Sequence, residues 1–569
     1  MSDQTADILE LARKRIDYVD NAMLSNKLQA KRDLLMVWGE QWDDKIKTER
    51  DIDDRPYLTI NKLRKYVKKL VNDQRQNKPS IKVRPVDDKG DKEMARIIED
   101  LIRSIEYQSV AGVAYTTAFD HAASSGFGYF RIDTDYAGDD TFDQEIQINR
   151  IKNNFTVHYD QSGNNFDFSD AKYCFVTDNL PREEFRQDFP NAAAENVDLD
   201  NIGEEYEKWY EDDTVRVAEY FYKEPITKTI AQLGDGTVVD IEDVPEGEEP
   251  ADTREVSTHK VMWCLITGSQ ILEGPTELPG KYIPIVPVIG DEMVIEGVRK
   301  YRSLIRDAVD PQKMYNYWRT TATEHLALTP KAPYLATPEQ IQGHEKMWRE
   351  ANRKNHPVLL YNDTAKGAPQ RAVPPTVPAG IVAEGSIAGD DIEDVLGMYP
   401  PSMGKPSNER SGKAIMMRQK ESEITNFGFV DNIRLSLIYA GKIIIDLIPK
   451  IYDTSRMIRL INPEGEEQLV AINQIAMKGD QKVGVNDVSW GKYDVTVEVG
   501  PSFSTKRLEA AESMMQFIQF APELAPLIGD LVAKYMDWPG ADDVKKRLEM
   551  HMQMTYGQMQ EKNKSQNAA

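Results

Sequence analysis

An α+β fold assembled from several parts is what this sequence predicts, and three observations carry that prediction. Helical periodicity fills most of the first hundred residues and returns after Glu296. From Gly126 to about Leu272 apolar and polar residues alternate, as half-buried strands do. At 569 residues with 40% hydrophobic content, the chain is too long for one core and apolar enough to fold.

In the first part, Ile60, Leu63, Val67, Leu70 and Val71 share one helical face, and Met94, Ile97, Ile98, Leu101, Ile102 and Ile105 share another. The basic run 61–84 between them has an intact apolar stripe, so Lys65, Lys68 and Lys69 read as a solvated helix face rather than a phosphate-binding one. Strands follow in GYFRIDTDY, EIQINRI, TVHYD and AKYCFVTD, with a short helix near 181–189. More strands come in RVAEYFYK, TKTIAQLGDGTVVDI and KVMWCLITGSQIL, joined by turns at Asp235-Gly236 and Gly268-Ser269. The acidic run 244–255 reads as an exposed loop. From Glu296 to Leu328 the pattern is helical, and Pro311 either opens a second helix capped by Asp310 or kinks a continuous one.

A small strand–helix–strand module comes next: TPKAPYLA, a helix opened by the capping box Thr337-Pro338-Glu339-Gln340, and PVLLYND. Its Lys346, Arg349, Arg353 and Lys354 form a basic cluster that is either a partner contact or a solvated face. A Pro-rich connector, 373–380, leads to a helix ending near Leu396. The loop GMYPPSMGKPSNERSG (397–412) is dense in residues that restrict or free the backbone, so it is expected to be irregular and mobile. It feeds a long helix from Ser411, with Val430, Ile433, Leu437, Ala440, Ile444, Leu447 and Ile451 on one face. Pro449 disfavours helix at Ile448, so an end there is expected after roughly 55–60 Å. RMIRLIN, EQLVAIN and YDVTVEVGPSF read as strands, 505–520 as a helix, and the last residues as a polar tail.

Composition narrows the function. A formal net charge of -24 disfavours tight, non-specific binding to DNA or an anionic membrane. Two distant cysteines, Cys174 and Cys264, support neither a disulfide framework nor a zinc site and fit a reducing cytoplasm. No export signal and no membrane span are read. No catalytic, metal or cofactor site is expected either. The stretch 404–414 misses a phosphate loop at Ser407 and Ala414. The stretch 133–145 misses a calcium loop at Ala137 and Gln144 and is expected to be a hairpin connection. Gly126 and Gly128 lead into a strand, the reverse of the order in a dinucleotide site. No two histidines stand at zinc-protease spacing.

Four stretches taken in order, RPYLTINKLRKYVKKLVNDQRQNKPSIKVRPVDD (55–88), RDAVDPQKMYNYWRTTATEHLAL (306–328), KAPYLATPEQIQGHEKMW (331–348) and YDVTVEVGPSFSTKR (493–507), resemble the portal, or head-to-tail connector, proteins of tailed double-stranded-DNA bacteriophages of the short-tailed type. The resemblance covers most of the chain. It implies a dodecameric homo-oligomer around a channel at one capsid vertex, assembled in the host cytoplasm and retained in the virion. Double-stranded DNA passes through without sequence specificity during packaging and ejection. The implied partners are the terminase motor, capsid and scaffolding proteins and tail adaptors, with no membrane.

The implied parts are a wing (1–296 and 453–503), stem helices (297–329 and 377–397), a clip (330–376), a channel loop (398–412), a long helix (413–452) and a short crown with tail (504–569). Lys405, Arg410 and Lys413 in or beside the loop then become candidates for transient DNA contact, or for pairing with Glu409 or neighbouring subunits. Lys346, Arg349, Arg353 and Lys354 become candidates for binding clip partners. The alternative is a nuclease or motor subunit of the same machinery; a motor would need a phosphate loop after a strand, and none is found.

Overall fold

A computed structural model describes residues 3–77, 79–86, 91–192, 210–211, 214–234, 238–241, 244, 249–328, 332–363, 367–373, 378–398, 427–461, 467–478, 481–488, 491–499, 513–520, 529, 532 and 547. The chain enters through α1 (Asp3–Trp38), α2 (Asp44–Ile52) and α3 (Leu63–Gln76), then β1 (Pro79–Pro85), α4 (Lys92–Gln108) and α5 (Ala111–Ser125). Leu63, Val67, Leu70 and Val71 of α3 are buried, as are Ile98, Leu101, Ile102 and Ile105 of α4, so the spacing in sequence reads out as packing. Lys65 and Lys68 lie on the exposed face of α3, and Lys69 pairs with Asp73 at 2.6 Å.

Next come β2 (Phe127–Tyr136) and β3 (Gln144–Arg150), a hairpin in which Tyr136 faces Gln144, so 133–145 holds the expected hairpin connection between paired strand ends. A large antiparallel sheet follows, built from β4 (Val157–Tyr159), β5 (Tyr173–Pro181), β6 (Tyr210–Glu211), β7 (Thr214–Gln232), β8 (Val238–Asp240), β9 (Asp252–Ile266) and β10 (Ile271–Glu277), with α6 (Arg182–Asp188) between β5 and β6. Its order is β10-β9-β7-β5-β4, with β6 and β8 also on β7. The loop expected over 244–255 is shorter than predicted: Asp252 to Glu255 already pair with Gln232 to Thr229. Those residues are exposed, so they have the polarity of a loop while hydrogen-bonding as strand.

β11 (Ile285–Ile289) lies beside β2, giving the order β11-β2-β3, and β12 (Asp291–Ile295) and β13 (Val298–Arg302) form a hairpin. This corrects the helix expected from Glu296. Glu296 and Gly297 both take positive φ, 52° and 78°, as a two-residue hairpin turn requires. The helix α7 (Val309–Leu328) starts later, with Pro311 in its first turn, where the missing N–H costs no hydrogen bond. Pro311 therefore neither kinks a helix nor opens a second one.

The small module contains β14 (Tyr334–Leu335), α8 (Pro338–Ile341), α9 (Glu345–Glu350) and β15 (Gln370–Arg371). Gln340 accepts from the Thr337 N–H at 2.8 Å, its half of the expected capping box. The second strand is β15 and not PVLLYND, because that stretch gives its polar groups to the helices. The Leu360 carbonyl accepts from Trp348 at 2.7 Å, and the Asn362 N–H donates to the Gln340 carbonyl at 2.9 Å.

The chain continues through α10 (Ala379–Leu396), α11 (Phe427–Ile451), β16 (Arg456–Ile461), β17 (Glu467–Ile472), β18 (Gln474–Lys478), β19 (Gln481–Val485) and β20 (Tyr493–Val499); 513–520 is helical. β18 and β19 have no counterpart in the sequence reading. The start expected for the long helix lies outside the described residues. At its other end it runs past Pro449 to Ile451, correcting the expected stop at Ile448. The predicted stripe holds from Ile433 on: Ile433, Leu437, Ala440, Ile444, Leu447 and Ile451 are buried, and Val430 is half-buried against the same core.

Two hydrophobic cores share the sheet β11-β2-β3 as a common wall. Phe130, Ile132, Val286 and Val288 face the core of α3, α4, α5 and α11. Phe127, Tyr129, Ile285 and Ile289 face the core of α1 and the large sheet. The open edge of β11 and the residues on either side of it are covered by α11, whose Asn432, Ser436 and Tyr439 donate to the carbonyls of Gly290, Pro287 and Ile283 at 2.5, 2.6 and 3.3 Å. These donors recur at every fourth or third residue and so occupy one face of the helix.

A buried polar cluster ties α1 to the large sheet. His158 Nδ1 lies 2.7 Å from Asp20, which also takes Lys27 at 2.9 Å, and Arg216 lies 3.0 Å from His158 Nε2. A neutral imidazole with its proton on Nδ1 satisfies both contacts, donating to Asp20 and accepting from Arg216. Burial lowers the His158 pKa to about 4; the Asp20 hydrogen bond opposes this, and Lys27 and Arg216 reinforce it. The folded value lies below the ordinary 6.5, so the stabilisation is complete above that pH and is lost as pH falls toward 4. Urea unfolding of His158→Gln between pH 7 and pH 4 should lose up to about 3 kcal/mol less than the parent protein does. Parallel pH profiles for the two proteins would refute this.

Candidate functional site

The site is built on two helices, α7 and α10, which pack side by side. Small residues let them approach: Gly385 lies against Trp318 and Arg319, and Gly389 against Tyr315. Lys62 lies over the Tyr315 ring at 4.2 Å.

The other side of α7 carries a seam that is polar and yet buried. Gln312, Asn316 and Thr320 have relative exposures of 0%, 1% and 0%. They meet an extended segment running antiparallel to the helix. The Leu58 N–H donates to Thr320 at 3.0 Å, the Ile60 N–H to Asn316 at 3.0 Å and the Lys62 N–H to Gln312 at 3.1 Å. Gln312 also donates to the Ile60 carbonyl at 2.9 Å, and Asn316 to Gln41 at 2.6 Å. The spacing explains the fit, because four helical residues advance about 6 Å and two extended residues about 6.6 Å. Every fourth side chain of α7 therefore meets every second backbone N–H of the strap. One turn further, Arg55 grips Glu324 through two hydrogen bonds of 2.8 and 3.2 Å, holding that carboxyl below the usual range.

Beyond α7 stands the small module, with Tyr334 edge-on to Trp348 at 5.2 Å and Arg371 over Tyr334 at 5.4 Å. Lys346, Arg349, Arg353 and Lys354 are all exposed, and the structure brings them onto α9 and the turn after it. Lys354 is bonded to Glu350 at 2.7 Å. Leu335, Val358 and Leu360 are exposed on the same module, so cations and apolar groups are offered together. Sequence reading found the cations and missed the apolar groups, because TPKAPYLA and PVLLYND read as strands with no sign of which face is exposed.

α10 ends at Gly397, whose φ of 62° closes the helix, and Met398 is buried in the first core. The loop thus departs from an anchored point. Lys405, Arg410 and Lys413 lie outside the described residues.

Both cysteines are free and buried. Burial pushes the Cys174 thiol far up and the Cys264 thiol to about 12. Among the described residues no group of three or more His, Cys, Asp or Glu is arranged to hold a metal. No helix among them is long and apolar enough to cross a membrane.

The sequence profile of the family described as "Phage P22-like portal protein" matches residues 13–569. The portal protein of Acyrthosiphon pisum secondary endosymbiont phage 1 is 24% identical over 546 residues, an alignment covering 90% of this chain and 75% of that one. The four stretches that carry the resemblance lie within the matched span and contribute the strap, α7, the small module and β20. By that match across almost its whole length, the chain belongs to the P22-like family of phage portal proteins.

Proposed function

We propose that this portal protein closes into a dodecameric ring of the short-tailed-phage type. The α7–α10 pair is its stem, 330–376 its clip, 398–412 its channel loop, and 504–569 a short crown with tail. The chain is a structural protein of the capsid vertex, serving DNA packaging and ejection, and not an enzyme. The large sheet, the first-core helices and β16 to β20 serve as the wing. The clip's basic and apolar surface docks the terminase motor and afterwards the tail adaptor; the ring also contacts capsid and scaffolding proteins. Ring assembly follows in the host cytoplasm, before incorporation into the virion. The observation that carries this reading is a family match that runs unbroken through the strap, the stem and the clip.

The excess negative charge suits a conduit, since a wall lined with phosphate-neutralising cations would hold the DNA in a salt-dependent trap. Lys405, Arg410 and Lys413 supply at most a few transient contacts, which position a duplex without reading its sequence. Native mass spectrometry of the purified protein should give a single ring mass. Deleting 402–409 should leave that mass, reduced only by the missing residues, while most packaged DNA is lost. A protein that stays monomeric at every concentration would overturn the ring, and a deletion that blocks assembly would overturn the channel-loop assignment.

A further inference from the structure

A ring closes through two different surfaces of one subunit, each complementary to the other and facing opposite ways. Two exposed helix faces meet those conditions. On α3, Arg64, Lys68 and Arg75 form an exposed cationic ridge, with Arg64 lying over Trp38, itself 72% exposed. On α10, Glu384, Asp391 and Asp394 form an exposed acidic ridge flanking Ile387 and Val395, which are 51% and 47% exposed. None of those three carboxylates is ion-paired among the described residues. Asp120 of α5 faces the cationic ridge in the same subunit and neutralises part of it.

The two helices touch each other through Tyr66 and Glu393, 3.4 Å apart, which fixes how each is rotated. Lys68 stands two residues beyond Tyr66, and Asp391 two residues before Glu393. At 100° per residue each lies about 160° around its helix from that contact. The two ridges therefore look outward from opposite sides of the α3–α10 pair, so within one subunit they cannot neutralise each other.

We propose that the α3 ridge of one copy docks on the α10 ridge of the next copy around the ring. Arg64, Lys68 and Arg75 meet Glu384, Asp391 and Asp394, and Trp38 is covered by Ile387 and Val395. This rests on the ring reading and names the surfaces that close it. Apolar groups set among opposite charges give such a contact both area and register.

The test uses full-length protein, native mass spectrometry and two charge-reversed variants, Lys68→Glu with Arg75→Glu and Asp391→Lys with Asp394→Lys. Each variant alone should need about tenfold more protein to form rings, and wild-type assembly should weaken with added salt. Mixing the two variants should restore rings made of alternating copies, because each then offers the charge the other lacks. The four-fold swap in one chain should also assemble. Circular dichroism melting checks that every variant is folded.

Wild-type-like assembly of either variant overturns the proposal, as does failure of both the mixture and the swap to recover. A loss confined to the α3 variant, accompanied by weaker retention of duplex DNA, assigns that ridge to phosphate instead. A wild-type protein without rings removes the ring reading itself.

Discussion

Gly128→Ala should destabilise the protein by about 4 kcal/mol or more, enough to keep much of it from folding. A Cβ at this position would stand 2.0 Å from the Ala118 carbonyl oxygen and 2.9 Å from the His121 Cβ. The first of these is backbone of α5, which cannot swing aside as a side chain could. Gly138→Ala is the control, because its Cβ would meet only the side chains of Asp140 and Thr141, at an ordinary 3.4 and 3.9 Å, and it should cost no more than about 0.5 kcal/mol. Urea unfolding of both variants decides the matter; equal midpoints would show that α5 can shift away from β2. The same pair of glycines leads into a strand, the reverse of the order in a dinucleotide loop. Gly126, at φ 96°, ends α5, and Gly128 lets β2 lie against it, so both serve backbone packing.

Asn316→Leu should cost roughly 3 kcal/mol, although the replacement is similar in size and more hydrophobic. It leaves the Ile60 N–H, the Gln312 amide and the Gln41 side chain without a partner they now share. An interior that cannot supply water makes each such loss expensive. The strap before Leu63 should also become open to proteolysis. Thr323→Ala on the exposed side of the same helix loses only a bond to the Arg319 carbonyl and should change stability by less than about 0.5 kcal/mol. An Asn316 variant as stable and as protease-resistant as the parent would show that the seam is ornamental.

These two positions mark where the sequence could and could not be read. α3, α4 and α11 were legible because each buries an apolar stripe, and burial of that kind leaves a period. α7 buries amides and a hydroxyl instead, so its inner face has the composition of a solvent-facing one. Only the four-residue recurrence of Gln312, Asn316 and Thr320 hinted otherwise. β13 and the turn before it fall within the helix expected from Glu296, because Glu296 sits at a positive φ that side-chain propensity does not favour. The apolar run Met293 to Ile295 with Val298 was the missed strand signal. The cations of the small module could be named from sequence, whereas their apolar neighbours needed coordinates. The ridges on α3 and α10 were half visible: Lys68 was read as solvated, but its opposition to Asp391 depends on how two distant helices are rotated.

The shared wall between the two cores has one more consequence. A strand with one wet face is told its register by its own pattern, since a slip of one residue would turn apolar groups into water. β11 has no wet face; all five of its residues are buried, so slipping would carry little hydrophobic penalty. Its alignment must be dictated from elsewhere, and α11 supplies the ruler. Asn432, Ser436 and Tyr439 each reach one particular carbonyl, and a strand displaced by one position would present N–H groups where those donors expect oxygen. The helix α11 thus also keeps the innermost sheet in phase.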